Sequence, residues 1–489
     1  MSRAHFPRRA ESLGFDSHGE LPIPGSLREG ARAGRHVTPG ARLDPVVAAL
    51  RRLSSTPRLR GELVWVIAHR FVEFGFLFAQ LKLLTSLLGK EGYGEYSLAE
   101  TGIALLGSLL LAPVQEAYLR DYHGAGDRGE TRAATRLLLR WYAVATLGAA
   151  ALLALVSQAF SEWFAVGRWT TLAAGLVFLA ERWRTLGQDL LNIERQRRAG
   201  ALWNLSFLTL QLALVALVLW SGPATATSAL LAYAAAAALF GALVTAPLAR
   251  RLLRRPGSAA RSLVPSLVLG FGVPYAALLI FQWVQAFSDR ILVKGLLDPA
   301  SLGLYVAAYQ VCGVPFVLLL RVAHELLTPI AYARSRDLGD SSQLWSADRL
   351  LLAGLGAQLV LGVGMLGGYA LFGSRLLVLL TSEAYALPAS TLTLLAAARF
   401  AQSFSMGLQP IFAVHQRMGR LLGFRAAGAI VTPAICWLTI PAFGVAGAAL
   451  GTLLAYLAYL VVLGFGPAGC VWLVLGARRS ARRAGSAAA

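Results

Sequence analysis

The chain has 489 residues, 56% of them hydrophobic, and a mean hydropathy of +0.59. A soluble protein of that length must wet more of its surface, so the composition excludes a soluble globular fold and points to a membrane. The net charge of +20 would suit a nucleic-acid binder in a soluble chain, but here the charge lies between apolar runs and no nucleic-acid partner is expected.

Residues 1–61 are rich in Arg, Gly and Pro, lack apolar periodicity, and read as a disordered basic cytoplasmic tail without a cleavable signal peptide. From there about twelve runs near 20 residues long recur, each long enough to cross a hydrocarbon layer of roughly 30 Å. They lie near 63–84, 98–119, 137–160, 169–190, 201–220 and 228–249 in a first six-helix lobe, 62–255. In a second lobe, 256–476, they lie near 266–287, 304–327, 350–372, 389–414, 421–440 and 445–465, followed by a basic cytoplasmic tail, 477–489. The fold class expected is an all-α polytopic membrane protein.

The second lobe repeats the first at an offset of 209 residues, which superposes Leu87 on Leu296, Leu88 on Leu297, Gly94 on Gly303, Tyr96 on Tyr305, Ala99 on Ala308 and Glu116 on Glu325. Repeats set in apolar spans are typical of transporters whose substrate site lies between two related halves. Alternate connections together with the two terminal stretches hold 33 of the 45 basic residues, among them Arg132, Arg136, Arg250, Arg251, Arg417, Arg420 and Arg425. The other side holds Lys82, Lys90, Arg168, Arg290, Lys294 and Arg375. By the positive-inside rule both termini face the cytoplasm, in a cell inner membrane crossed many times.

No catalytic motif stands up. Gly362-x-Gly364-x-x-Gly367 matches a dinucleotide fingerprint in letters, but it lies inside a span with no strand before it and reads as helix packing. His324-Glu325 lacks a second metal-binding histidine. Cys312, Cys436 and Cys470 sit in apolar surroundings, so neither metal nor disulfide nor cofactor is expected, and the chain does not read as an enzyme.

Polar residues inside the spans carry more information, because a charge at the bilayer centre costs about 2.5–3.5 kcal/mol on insertion scales and normally faces a wet cavity or a partner. Arg70, Glu73 and Gln80 share one face of the first span; Gln282, Gln285 and Asp289 share one face of the seventh, with Glu73 superposed on Gln282 and Gln80 on Asp289. These stripes are expected to face each other across a central space. Span four adds Glu181, Arg184 and Gln188, and span ten adds Arg399, Gln402 and Gln409. The plain alternatives are an i,i+3 ion pair for Arg70–Glu73, snorkelling for Glu181 and Arg184, and a structural role for Arg321, His324 and Glu325.

Three segments resemble the Wzx-type polysaccharide flippases of the multidrug/oligosaccharidyl-lipid/polysaccharide exporter superfamily. Leu87-Leu88-Gly89-Lys90-Glu91-Gly92-Tyr93-Gly94-Glu95-Tyr96 is similar to that family's turn after the first helix. Ser382-Glu383-Ala384-Tyr385 is similar to its step before the tenth helix, with Ser in place of Gly, and Pro441–Ala449 to its turn into the last helix. The resemblance spans residues 62–476 and does not reach the basic tail. It implies two MATE-like six-helix lobes that open alternately and carry undecaprenyl-diphosphate-linked oligosaccharides. It also implies a proton or Na⁺ as coupling ion, membrane lipids as surroundings, and polymerase and other polysaccharide-assembly proteins as partners. A diphosphate calls for arginine, whose planar fork binds phosphate oxygens in pairs. Arg70, Arg399 and Arg290 are therefore the expected diphosphate ligands, with Gln80, Gln282, Gln285 and Gln402 as the polar cavity wall. Asp289 is the expected coupling carboxylate, followed by Glu73 and Glu181. The competing readings are a MATE-like small-molecule extruder, which would favour an acidic cavity, and a non-transporting scaffold, which would gain nothing from mid-span charges.

The topology is directly testable: reporter fusions at Gly126 and Gly257 should read cytoplasmic, and fusions at Gly92 and Gly222 external. A cytoplasmic signal at Gly92 would overturn the order of spans.

Overall fold

The computed structural model describes residues 57–127, 129–164, 166–194, 196–254, 273–335, 340–467 and 469–487. The expected N-terminal tail to residue 56, and the expected boundary between the halves near 255, lie outside the described residues. The first helical stretch, α1 (Pro57–Leu106), is two arms that reverse at Gly89, whose φ of 68° and ψ of −176° suit a residue without a Cβ. The hydrogen bond from Gln80 Nε2 to the Tyr96 hydroxyl (3.3 Å) ties the arms together across the turn.

The second arm runs through a π-turn at Gly107–Leu111 into α2 (Ala112–Asp127). Then come α3 (Thr131–Phe164), α4 (Arg168–Ile193) and α5 (Arg197–Ser221). The sixth crossing is α6 (Ala226–Phe240), a second π-turn at Gly241–Thr245, and α7 (Ala246–Leu253). Both π-turns end at an Ala-Pro pair, Ala112-Pro113 and Ala246-Pro247. Proline has no N–H to return to the residue four before it, and the ladder slips by one residue there.

The second half holds α8 (Val273–Leu296), α9 (Pro299–Arg334), α10 (Ser341–Leu380), α11 (Ala389–Gly407) and the short α12 (Gln409–Val414). It closes with α13 (Met418–Phe465) and α14 (Cys470–Ala487). α13 reverses at Gly444 (φ 58°); Thr439 Oγ1 donates to Gly447 O at 2.8 Å, locking two arms at the segment that resembles the turn into the last helix. Among the described residues eight helical stretches are long and apolar enough to cross a membrane. With the reversals in α1 and α13, and the more polar α4 and α11, they make twelve crossings in an all-α polytopic fold. The basic C-terminal stretch from residue 477 is helical to Ala487, as the end of α14.

The two halves meet backbone to backbone at the turns. A Cβ on Gly94 would stand 2.6 Å from Pro299 O and 3.0 Å from Gly303 N, and one on Gly303 would stand 1.9 Å from Lys90 O. Lys90 and Pro299, like Gly94 and Gly303, are equivalent in the 209-residue repeat, so the contact is reciprocal. The Tyr93 ring packs edge-on against Tyr385, centroids 6.4 Å apart, and Lys82 Nζ donates to Thr381 O, which joins the halves further at this turn end. Of the three glycines in the fingerprint-like run, Gly362 lies against the Phe400 ring, where a Cβ would come within 2.1 Å; Gly364 and Gly367 meet nothing.

A methyl at Gly303 cannot be housed without moving the Lys90 carbonyl. Gly303→Ala should therefore lower the thermal midpoint by the equivalent of about 1–3 kcal/mol. Gly295→Ala, which meets no atom within 4 Å, should leave it unchanged in the same unfolding scan.

Candidate functional site

Away from the turn end the halves separate around a cavity of about 800 Å³. The N-terminal half contributes Arg70, Glu100, Thr101 and Ser108, while α8 contributes Gln282, Trp283 and Arg290. Tyr309, Arg321 and Glu325 enter from α9, and Arg399, Gln402 and Gln409 from α11 and α12.

Arg290 is buried, 5% exposed, and its Nη1 donates to Thr101 Oγ1 (3.2 Å) and Ser97 Oγ (3.4 Å) of the opposite half. Its guanidinium also lies 4.9 Å from the Tyr309 ring centroid. The guanidinium of Arg399 lies 3.9 Å from the same ring and donates to the Tyr309 hydroxyl and Gln402 Oε1. Gly313 makes room for it: a Cβ there would stand 2.4 Å from Arg399 Nε. Among the described residues neither arginine forms an ion pair. Buried Arg290 and partly buried Arg399 thus converge on one tyrosine with hydrogen-bonding capacity left over, since the Nε atoms of both have no partner. Such a pair in a low-dielectric cavity attracts an anion.

Arg70 sits at the opposite end of the cavity and is partnered. Its Nη1 contacts Glu73 Oε2 at 2.6 Å, and its Nη2 pairs with Glu325 Oε1 of the other half. Glu73 also faces Arg321 at 3.7 Å. The local Arg70–Glu73 pair therefore exists, but it belongs to a four-membered latch across the mouth. Gln80 lies behind the wall, bonded to Tyr96, which in turn hydrogen-bonds Glu100.

The stripe of α8 does not face the cavity as a unit. Gln282 lines it, but Gln285 is 1% exposed and accepts from Arg425 Nη1 at 2.7 Å inside the second half. Asp289, also 1% exposed, accepts the Arg290 backbone N–H at 2.8 Å and the Tyr305 hydroxyl at 2.6 Å, with Thr452 Oγ1 at 3.5 Å. At about 100° per residue, 279, 283, 286 and 290 turn toward the centre while 285 and 289 turn into the second half. Glu181 is in the core of the first half, bidentate to Arg184 at 2.6 and 2.7 Å. Two charges counted as extramembrane prove buried within helices: Arg290 in α8, and Arg425, 1% exposed, in α13.

Glu100, Thr101 and Tyr309 are the lining residues that the stripes on the first helix of each half could not reveal. The repeat held a signal for two of them: Glu100 superposes on Tyr309. The same offset maps the Gln80–Tyr96 hydrogen bond onto Asp289–Tyr305, so each half builds the same brace.

Helices, reversals and an inter-half cavity define the architecture of a polytopic membrane fold. The solved structures most usefully compared share it: the inward-facing conformation of a multidrug resistance MATE family transporter of the MOP superfamily aligns with TM-score 0.65 and 13% identity over 85% of this chain and 96% of that one. The outward-facing conformation of such a transporter gives 0.60, 14%, 84% and 94%. A MOP superfamily transporter from Pyrococcus furiosus, described as having a binding pocket of reverse polarity that suggests a different function, gives 0.61, 13%, 86% and 94%. No protein-family model and no curated protein matches the sequence.

The latch yields a charge-swap test. Partly exposed ion pairs contribute about 0–1 kcal/mol each, so the mouth is held lightly. Arg70→Glu should increase thiol labelling of a cysteine placed at Ser108, and Arg70→Glu/Glu325→Arg should return it to the parent rate. Equal labelling in all three proteins would show that the pairs do not restrict the mouth.

Proposed function

We propose that this protein is a flippase that moves undecaprenyl-diphosphate-linked oligosaccharide units across the cytoplasmic membrane for surface polysaccharide biosynthesis. The observation that carries the reading is the pair of unpaired arginines, Arg290 and Arg399, converging on Tyr309 in the cavity between the halves. A diphosphate supplies the missing counter-charge, and each guanidinium can bind its oxygens in pairs. Arg70 serves the mouth of the cavity, where an arriving anion competes with Glu73 and Glu325 for it. The sugar occupies the polar wall at Gln282 and Gln402, while the lipid chain stays in the bilayer.

Motion follows from the reciprocal glycine contact. The present conformation is closed at the turn end, and it aligns better with the inward-facing neighbour than with the outward-facing one. In alternating access the latch, closed here, opens to admit the cargo, and the glycine contact parts to release it on the other side. Within this reading the coupling carboxylate is Glu100, which lines the cavity. Of the carboxylates expected from sequence, Glu73 and Glu181 are paired with Arg70 and Arg184, and Asp289 turns into the second half, away from the cavity.

The second reading, an ion-coupled extruder of small cations, is favoured by the same Glu100 and by the multidrug resistance neighbours. The Pyrococcus furiosus neighbour shows that this fold is associated with pockets of differing polarity.

Translocation of a fluorescent polyprenyl-diphosphate oligosaccharide and efflux of organic cations, both measured in vesicles, separate the two. For a flippase, Arg290→Ala or Arg399→Ala should weaken translocation by about 1.5–3 kcal/mol, roughly tenfold to a hundredfold. Arg→Lys should rescue in part, and Glu100→Gln should remove the response to an imposed proton or sodium gradient. Cation efflux that survives both alanine changes, with no translocation of the lipid-linked sugar, would establish the extruder.

A further inference from the structure

A second cavity, lined by other residues than the central one, lies in the second half among α10, α11, α13 and α14. The twelfth crossing ends at Phe465, and the chain turns through Gly466 and Gly469 (N–H to O, 2.8 Å) into α14. The helix is amphipathic: Val474 and Ala477 are buried, while Arg478, Arg479 and Arg482 are exposed. Trp472 is exposed, and its indole N–H donates to Phe465 O at 3.1 Å. A basic amphipathic helix after a last crossing lies along the interface of a bilayer.

Beneath α14 is a cavity of about 450 Å³, walled by Leu352 of α10, Phe404 and Leu408 at the α11–α12 break, Leu457 and Gly464 of α13, and Val474 of α14. The lining is almost wholly apolar, so water finds no partners in it. Its rim is charged. The Arg478 guanidinium lies 5.7 Å from the Trp345 ring. Trp345 stands two helical turns before Leu352 on α10, and Arg478 one turn beyond Val474 on α14. An apolar slot under exposed arginines matches an acyl chain below an anionic headgroup.

We propose that this cavity and the α14 arginines form a binding site for an anionic phospholipid of the bilayer. An acyl chain lies between α13 and α14, and the phosphate sits at Arg478 and Arg479. The site would influence the central cavity, because Phe404 and Leu408 flank it while Gln402, Ser403 and Met406 of the same helix line the other. Cys470 Sγ, 3.8 Å from Leu408 O, joins α14 to that break.

The test uses the full chain in nanodiscs and a phosphatidylglycerol carrying a diazirine near the end of one acyl chain. Cross-links should map to residues 457–475, and unlabelled phosphatidylglycerol should compete about tenfold better than phosphatidylcholine. Gly464→Phe should abolish the cross-link; a Cβ there meets no atom within 4 Å, so the ring fills the cavity without a clash at its root. Arg478→Glu/Arg479→Glu should remove the preference for phosphatidylglycerol while both variants keep the parent's thermal midpoint in detergent. Cross-links that map elsewhere in the parent, equal competition by phosphatidylcholine, or a cross-link that survives Gly464→Phe would each overturn the site. None of these outcomes depends on what the central cavity carries.

Discussion

The structure depends on one steric constraint: at the turn end two backbones cross where no side chain can stand. Gly94 faces the Pro299 carbonyl and Gly303 faces the Lys90 carbonyl, so the second helix of each half is pressed against its counterpart. Two long helices that cross this closely at one end diverge toward the other, and the space between them becomes the cavity. The edge-on Tyr93–Tyr385 contact and the Lys82–Thr381 hydrogen bond fill in around the crossing. The segments that resemble a known exporter family lie at this crossing, at Tyr385 and at the Gly444 reversal. They are features of the scaffold rather than of a binding site, which is why they speak for the fold more than for the cargo.

Charge is arranged on the same frame. Several buried charges are partnered within their own half: Glu181 pairs with Arg184, Asp289 accepts hydrogen bonds from Tyr305 and the Arg290 amide, and Asp348 contacts His415 at 3.0 Å. Arg70, Glu73, Arg321 and Glu325 neutralise one another across the mouth. Arg290 and Arg399 are left without a carboxylate partner, although each is held by hydrogen bonds and by the face of Tyr309. Cation–π contact holds a guanidinium in place without cancelling its charge. The cavity is thereby positive at its centre, and its carboxylates lie toward the mouth and at Glu100.

The crossings, their order and the repeat were legible in the sequence because each depends on run length or offset alone. Arg399 was legible too, since a mid-span cation needs a reason. What helical spacing left open was rotation: it shows that Gln282, Gln285 and Asp289 lie on one side of α8, but not which neighbour that side meets. The packing of α13 claims Gln285 and Asp289, and leaves Gln282 at the border. Charge counting misplaced Arg290 and Arg425 for a related reason. Both lie a few residues inside a helix end, where run length cannot tell an interfacial residue from a buried one.

The crossing also explains which parts of an ancient duplication can still be seen. A position where main chain meets main chain admits a single residue type, so Gly94 and Gly303 could not drift apart, and Tyr96 and Tyr305 persist two residues beyond them as braces. The neighbouring turn position was free to change its means while keeping its geometry. The first half reverses on Gly89 with positive φ. The second places Asp298 at the same offset, in extended backbone at φ −149°, capping α9 through Ser301 N–H at 2.8 Å. Hydrogen bonds from Ser301 hold that carboxyl below its ordinary range. The two halves have therefore inherited one shape but different sensitivities: the first turn is intolerant of any side chain, and the second is exposed to acid strong enough to protonate its cap.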